Sequence, residues 1–214
     1  MVKFSANLGF LWADIPLPAA ILAAKSAGFD AVECHWPYDT AATEIVKALD
    51  DTGLAMLGIN TFKGDDEGGG FGLSAVPGQQ AAARLAIDQA IFFAAQIGAE
   101  AVHVMAGKAA GAGAKTVFEA NLAYACTKAL NYDLTILIEP LNPYDAPGYF
   151  LNSLEQATNY RAVGSEKSKI DVRLLSCRTN RGGYHRPFAR PISHHWPYPI
   201  CLGAIATKTR SRQS

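Results

Sequence analysis

Residues 135–139 of the chain have the sequence TILIE, a nearly continuous apolar run that ends on a carboxylate. An apolar run of this length is typical of a strand that is buried on both faces of a parallel sheet. Four similar runs precede it, at residues 3–7, 31–34, 54–60 and 101–105. Segments of helical length separate the runs. Strand and helix therefore alternate about five times, which predicts an α/β fold with a parallel sheet.

The helices are predicted from amphipathic or Ala-rich patterns, and they cover residues 18–27, 40–52, 79–97, 116–131 and 152–163. A glycine follows three of them where helices commonly end, namely Gly28, Gly53 and Gly98. Asn152 or Ser153 is suited to cap the last helix.

Two architectures fit this alternation, a (β/α)8 barrel and a doubly wound sheet. No GxGxxG follows the first predicted strand, and GKAAGAGA at residues 107–114 lacks the GxxxxGKS/T order of a P-loop. The barrel is therefore favoured, and in a barrel the polar residues at the carboxyl ends of the strands form the site. In this chain those residues include Asn7, Glu33, His35, Asn60, His103 and Glu139.

The composition is typical of a globular protein with a sizeable core, since 50% of the 214 residues are hydrophobic and 18% are charged. No apolar run reaches the roughly 18 to 20 residues that span a bilayer, and MVKFSANLGF does not resemble a signal peptide. The four cysteines (Cys34, Cys126, Cys177 and Cys201) include no CxxC pair. This spacing argues against a disulfide framework or a zinc site, and it predicts a cytoplasmic protein with no membrane partner.

The net charge of zero conceals an uneven distribution along the chain. Residues 1–160 contain 8 Lys and Arg against 17 Asp and Glu, whereas residues 161–214 contain 11 Lys and Arg against two acids, Glu166 and Asp171. The first part therefore has the charge of a mildly acidic enzyme, and the last part has a different character.

Five segments carry a resemblance to a known family: FSANLGFLW (residues 4–12), GFDAVECHWPYD (28–39), the glycine-rich loop before the long helix (64–72), VMAGK (104–108) and LIEPLNPYDAPGYFL (137–151). Over residues 1 to about 165 the chain resembles the hydroxypyruvate isomerases, a family of xylose-isomerase-like TIM barrels. The resemblance implies an isomerase that interconverts hydroxypyruvate and tartronate semialdehyde. Close relatives act on 2-oxo-tetronate. It also implies a small hydroxy-oxo acid as substrate and a divalent metal, Mg²⁺ or Mn²⁺, held by acidic and amide side chains.

Such an enzyme moves a carbonyl along a carbon chain, so a proton must be removed beside the carbonyl and returned to the neighbouring carbon. A carboxylate within hydrogen-bond reach can make both transfers. Glu139 matches the first of the family's two glutamates, which implies that it is the catalytic acid/base and a metal ligand. Asn7, His35, Asn60, His103 and Lys108 are the candidate substrate-binding residues. For His35, for Glu33 beside it, and for Lys108, ordinary loop polarity is the open alternative, and His103 has the alternative of a hydrogen-bonded core residue.

The glycine-rich loop of residues 64–72 is too long for a simple connection, so it is either a lid over the substrate or merely flexible.

The resemblance ends after Ile170, where the family continues with an Asp-x-Tyr-His strand, a Gln strand and a final Glu strand. Back-translation of IDVRLLSC (residues 170–177) and a shift of one base give MFDCYH, and HHWPYPICLGA (residues 194–204) can be shifted to a sequence like IGHIQFASV. We therefore hypothesise that the reading frame changes near Ile170. Residues 1–165 would then be an incomplete barrel of about five βα units, and residues 166–214 an atypical basic tail.

An incomplete barrel leaves unpaired strand edges and lacks three of the family's four metal ligands, so we expect impaired activity in the chain as printed. The alternative from another class is an inactive remnant whose basic tail, with His194 and His195, binds nucleic acid. Another alternative, an apurinic endonuclease on the same barrel, needs more metal-binding His and acidic residues than residues 1–165 contain. A homo-oligomer is compatible with the sequence.

Overall fold

The computed structural model describes residues 3–64, 70–160, 163 and 170–172 of the chain. Most of the glycine-rich loop (residues 65–69) and residues 173–214 lie outside the described residues. The expectations for a lid, for His194 and His195, and for a basic tail fall on those segments.

The described strands are short and all of their pairings are parallel. They are β1 (Ser5–Asn7), β2 (Ala31–Glu33), β3 (Ala55–Met56), β4 (Ile59–Asn60), β5 (Ala101–His103), β6 (Thr135–Ile138) and β7 (Ile170–Val172). Their order follows the chain, as β1-β2-β3 in one sheet and β4-β5-β6-β7 in the other.

The two sheets meet in one stretch of chain, because β3 and β4 are separated only by Leu57 and Gly58. The Leu57 amide donates to the Val32 carbonyl at 2.7 Å, and the Asn60 amide donates to the His35 carbonyl at 2.8 Å. The whole stretch therefore runs beside β2, while Ile59 and Asn60 pair with β5 on the other side. The single strand predicted at residues 54–60 is present with an interruption in its middle.

Five helices follow the strands in alternation: α1 (Leu17–Ser26), α2 (Ala42–Thr52), α3 (Gln80–Ile97), α4 (Gly111–Ala129) and α5 (Leu154–Asn159). Short 3₁₀ turns occupy Pro37–Asp39 and Leu130–Tyr132. The helices bury their apolar faces against the strands, with Ile21, Ile45, Ile87, Phe118 and Leu122 fully buried. On the strand side Val32, Ile136 and Ile138 are equally inaccessible. Helices cover the parallel strands, as the alternation predicts.

Helix α4 begins at Gly111, five residues before the predicted start. Glycine and alanine in GAGA give little local indication of a helix, but tertiary packing favours one here. Ala114 is fully buried, and further along α4 the buried Asn121 amide donates to the Ser74 carbonyl at 2.9 Å. The helix is thus anchored to the segment that precedes α3.

In the part of the chain that the structure describes, none of the helices combines the length and the apolar character needed to cross a bilayer.

Candidate active site at the carboxyl ends of the strands

A small cleft that opens to solvent lies where the carboxyl ends of β1, β2, β4, β5 and β6 meet. Its lining combines polar side chains with a few apolar ones: Asn7, Glu33, Cys34, His35, Gly58, Ile59, Asn60, His103, Leu137 and Glu139. The six polar residues at predicted strand ends are therefore brought together. Parallel strands place their carboxyl ends at one edge of the sheet, which explains this convergence.

Glu139 and His103 form a buried polar pair in the cleft. Both are almost fully buried, and His103 Nδ1 lies 3.9 Å from Glu139 Oε2. The same nitrogen lies 3.3 Å from Asn60 Oδ1. Three consecutive strand ends thus bring a carboxylate, an imidazole and an amide to one space. Such groups can accept and donate a proton and can form hydrogen bonds to the reacting oxygen.

Strands β1 and β2 contribute a second polar pair to the cleft, Asn7 and Glu33. The Asn7 side-chain amide donates to Glu33 Oε1 at 2.9 Å, and the Asn7 side-chain oxygen accepts from the Gly9 backbone amide at 2.9 Å. Asn7 therefore joins the loop after β1 to the carboxylate at the end of β2.

His35 is held at the mouth of the cleft by the loop after β1. Phe10 lies edge-on to the His35 ring with 4.8 Å between ring centroids. A Cβ atom at Gly9 would fall 2.2 Å from His35 Nδ1, so only glycine lets the loop approach the ring this closely. The sequence FSANLGF is thus suited to position a histidine that lies 25 residues or more further along the chain.

Cys34 is a cleft residue that the sequence analysis did not single out. Burial raises the pKa of its thiol to about 12, and the neighbouring Glu33 charge adds to this effect. The thiol lies 3.9 Å from the Met56 sulfur. Because it stays protonated at neutral pH, Cys34 is a poor nucleophile and contributes to the cleft mainly by packing.

Lys108 is not among the residues that line the cleft. Its ammonium lies 5.2 Å from the centroid of the Phe71 ring, and its backbone pairs with that of Tyr149.

The Tyr149 hydroxyl accepts from the Ala106 amide at 3.0 Å. Burial raises the pKa of the Tyr149 hydroxyl, and the nearby Glu139 charge adds to this effect. After Cys34, Tyr149 is thus a second residue that sequence reasoning missed. It is close enough to Glu139 to sense its charge, and it lies in the PGYFL segment.

The residues that the structure describes do not form a complete divalent-cation site. They contain no group of three or more His, Cys, Asp or Glu side chains placed to hold a metal ion. Mg²⁺ and Mn²⁺ favour six oxygen-rich ligands, and Glu139 with His103 and Asn60 supplies at most three, only two of them through oxygen. The described part of the cleft therefore does not fit the metal that the resemblance implies.

Comparison with known proteins places this fold in a defined class. The family model for the xylose isomerase-like TIM barrel matches residues 21–170. The chain belongs to the xylose isomerase-like TIM barrel family. The predicted barrel architecture and the predicted family are thereby confirmed.

The curated relatives are isomerases by name. The chain is 40% identical over 207 residues to a Homo sapiens protein named "Putative hydroxypyruvate isomerase", with 90% of this chain and 75% of that protein covered. It is 35% identical over 198 residues to the 2-oxo-tetronate isomerase of Cupriavidus necator, covering 90% of this chain and 76% of that enzyme. This chain is accordingly a member of an isomerase family.

Both alignments cover 90% of the 214 residues, about 193 residues, so they include positions beyond Ile170.

Among solved structures, the fold is similar to that of a Brucella melitensis protein titled AP endonuclease, family 2. That similarity has a TM-score of 0.73 and 30% sequence identity, and it covers 82% of this chain and 68% of the other.

Proposed function

We propose that the cleft isomerises a short hydroxy-oxo acid by moving a proton between adjacent carbons, and that hydroxypyruvate and tartronate semialdehyde are its substrate pair. The observation that carries the proposal is the buried Glu139, which lies beside His103 at the carboxyl ends of the strands in a family of isomerases. A carboxylate that is shielded from water is an effective base toward a weakly acidic carbon.

In this proposal Glu139 removes a proton from the carbon beside the substrate carbonyl and forms an enediolate. It then returns that proton to the neighbouring carbon. His103 and Asn60, which face the same space, supply hydrogen-bond donors to the oxygen on which negative charge develops. His35 contributes a further donor at the mouth of the cleft.

Lys108 is proposed to bind the substrate carboxylate. Its half-buried side chain follows β5 on the loop that pairs with Tyr149, and its long flexible stem permits reorientation of the charge. Asn7 completes the set of proposed substrate-binding residues from the β1 side.

The second candidate is isomerisation of 2-oxo-tetronate, and the similarity to the Cupriavidus necator enzyme favours it. The chemistry is the same, and the substrate is one carbon longer. The two candidates therefore predict the same effect for a change at Glu139 and differ only in which acid is preferred.

The test is an assay of the purified chain with each acid, with and without added Mg²⁺ or Mn²⁺. We expect slow conversion of hydroxypyruvate by the chain as printed, and we expect Glu139→Gln to lower kcat further, by about 10²- to 10⁴-fold, because the proton-transferring group is lost. Glu44→Gln, which removes an exposed carboxylate of α2, is the matched control and should keep full activity. A folded protein that converts neither acid, or an active Glu139→Gln variant, would contradict the proposal.

We also propose that the protein works in the cytoplasm. Cys34 is a buried cysteine that forms no disulfide, which suits a reducing compartment.

A further inference from the structure

The proposed proton transfer by Glu139 leaves one buried group of the cleft without a role. Glu33 is 5% exposed and lines the same cleft as Glu139, so two carboxylates face one small space. Burial of a carboxylate costs free energy unless hydrogen bonds offset the lost hydration. A fold that only needed a strand end here would be more stable with an apolar residue in this position.

The surroundings of Glu33 fix the direction of its side chain. Asn7 donates to Glu33 Oε1 from β1, and the Gly9 amide in turn holds the Asn7 oxygen, with both bonds 2.9 Å long. The carboxylate is therefore oriented by a neighbouring strand and its loop, which is the kind of support that keeps a reacting group in place.

The position of Glu33 relative to Glu139 is also suited to a second role. Glu33 ends β2 of the first sheet and Glu139 follows β6 of the second, and Asn60 and His103 from β4 and β5 line the same cleft. A substrate that lies in the cleft thus meets two carboxylates, which come from different sheets.

The reaction itself requires two proton movements. When hydroxypyruvate becomes tartronate semialdehyde, one proton moves from C3 to C2, and a second moves from the oxygen on C3 to the oxygen on C2. The single bond between C3 and its oxygen becomes a double bond while the double bond between C2 and its oxygen becomes a single bond. Electrons and protons therefore balance without a co-reactant. Glu139 accounts for the carbon proton only.

We propose that Glu33 accepts the hydroxyl hydrogen bond of the substrate and carries the proton from the oxygen on C3 to the oxygen on C2. This inference rests on the proposed isomerase function. It makes Glu33 a catalytic residue that touches the substrate oxygens, and Asn7 the positioning residue that orients it.

The two proton movements can be measured separately, which gives a sharp test. In D₂O, formation of the enediolate exchanges the hydrogen on C3 of hydroxypyruvate for deuterium even when no product forms. We expect Glu33→Gln to lower interconversion by about 10²-fold or more and to leave enzyme-dependent exchange at C3 within a few-fold of the unsubstituted protein. Glu139→Gln should lose both, and Glu44→Gln should keep both. Loss of exchange together with interconversion in Glu33→Gln, or retention of both, would overturn the proposal.

Binding supplies a readout that does not depend on turnover. Pyruvate differs from hydroxypyruvate by the absence of the C3 hydroxyl, so we expect the unsubstituted protein to bind hydroxypyruvate about tenfold more tightly than pyruvate. Glu33→Gln should abolish the preference, and Glu33→Asp, which keeps the carboxylate, should retain part of it. If the protein shows neither exchange nor turnover, the proposed function fails. Equal binding of the two acids by the unsubstituted protein rejects the role of Glu33 itself.

Discussion

At the scale of single residues, Gly107 decides how the loops beside the cleft meet. Its φ is +91°, and a Cβ atom there would lie 2.2 Å from the Gly72 carbonyl oxygen. The carbonyl of Gly107 also accepts from the Phe150 amide at 2.9 Å, so the residue joins three loops. We expect Gly107→Ala to lower the free energy of unfolding by about 2 to 4 kcal/mol, as the sum of a strained φ and an overpacked contact. Urea unfolding followed by circular dichroism measures this.

Gly78→Ala is the matched control, because Gly78 has a φ of +85° and open space where a Cβ would be. It should cost only the backbone strain, about 1 to 2 kcal/mol. Equal losses in the two variants would show that the close approach of the loops contributes nothing.

The site residues also show what a sequence pattern can and cannot place. The convergence of Asn7, Asn60 and His103 in one cleft was predictable from sequence. Their strands could be recognised, and parallel strands place their carboxyl ends at one edge. Cys34 was missed because the alternation of a strand that included it would turn its side chain away from those of Glu33 and His35. The observed strand ends at Glu33, so the alternation does not extend to Cys34. Lys108 lies outside the lining because loop geometry, which no periodic pattern fixes, sets its direction.

At the scale of elements, α5 shows how a side-chain hydrogen bond at its first residues starts a helix. The Ser153 hydroxyl accepts from the Gln156 amide at 3.1 Å, and the Gln156 side chain accepts from the Asn152 amide at 3.1 Å. Because α5 has only six residues, its cap is a large part of its stability. We expect Ser153→Ala to cost about 1 kcal/mol and Ser153→Asp to cost much less.

Thermal unfolding of these variants measures the effect, with Ser26→Ala as the control. The Ser26 hydroxyl bonds to the Leu22 carbonyl inside α1, a contact that competes with helix geometry and does not cap it. A loss for Ser26→Ala equal to that for Ser153→Ala would contradict a specific capping role.

The predicted cap of α5 was identifiable from sequence because it depends only on residues close in the chain. The start of α4 instead depends on the packing of Ala114 and Asn121 against distant parts of the chain.

At the scale of the whole molecule, two explanations compete for the change of character near Ile170. The backbone of Ile170–Val172 continues the sheet beside β6, with Asp171 in register with Leu137. The alignments with the human and Cupriavidus necator relatives include positions beyond Ile170, so part of the later sequence aligns in its printed frame. The two shifted motifs, in the order in which the family has them, instead favour a change of frame.

The nucleotide sequence across codons 160–214 distinguishes these explanations. We propose that codons 170–177 shift by one base to encode MFDCYH, and that codons 194–204 shift in the same direction to a sequence like IGHIQFASV. Restoring that frame should return an Asp, a Gln and a second Glu, and raise the rate of hydroxypyruvate isomerisation by about 100-fold or more, since a complete set of ligands and acid/base groups would then be present. The control is the chain as printed, expressed and assayed beside the restored one under the same conditions. Codons that cannot be shifted into both motifs would show that the hypothesis is wrong. Salt-sensitive DNA binding would then test the basic charge of residues 166–214.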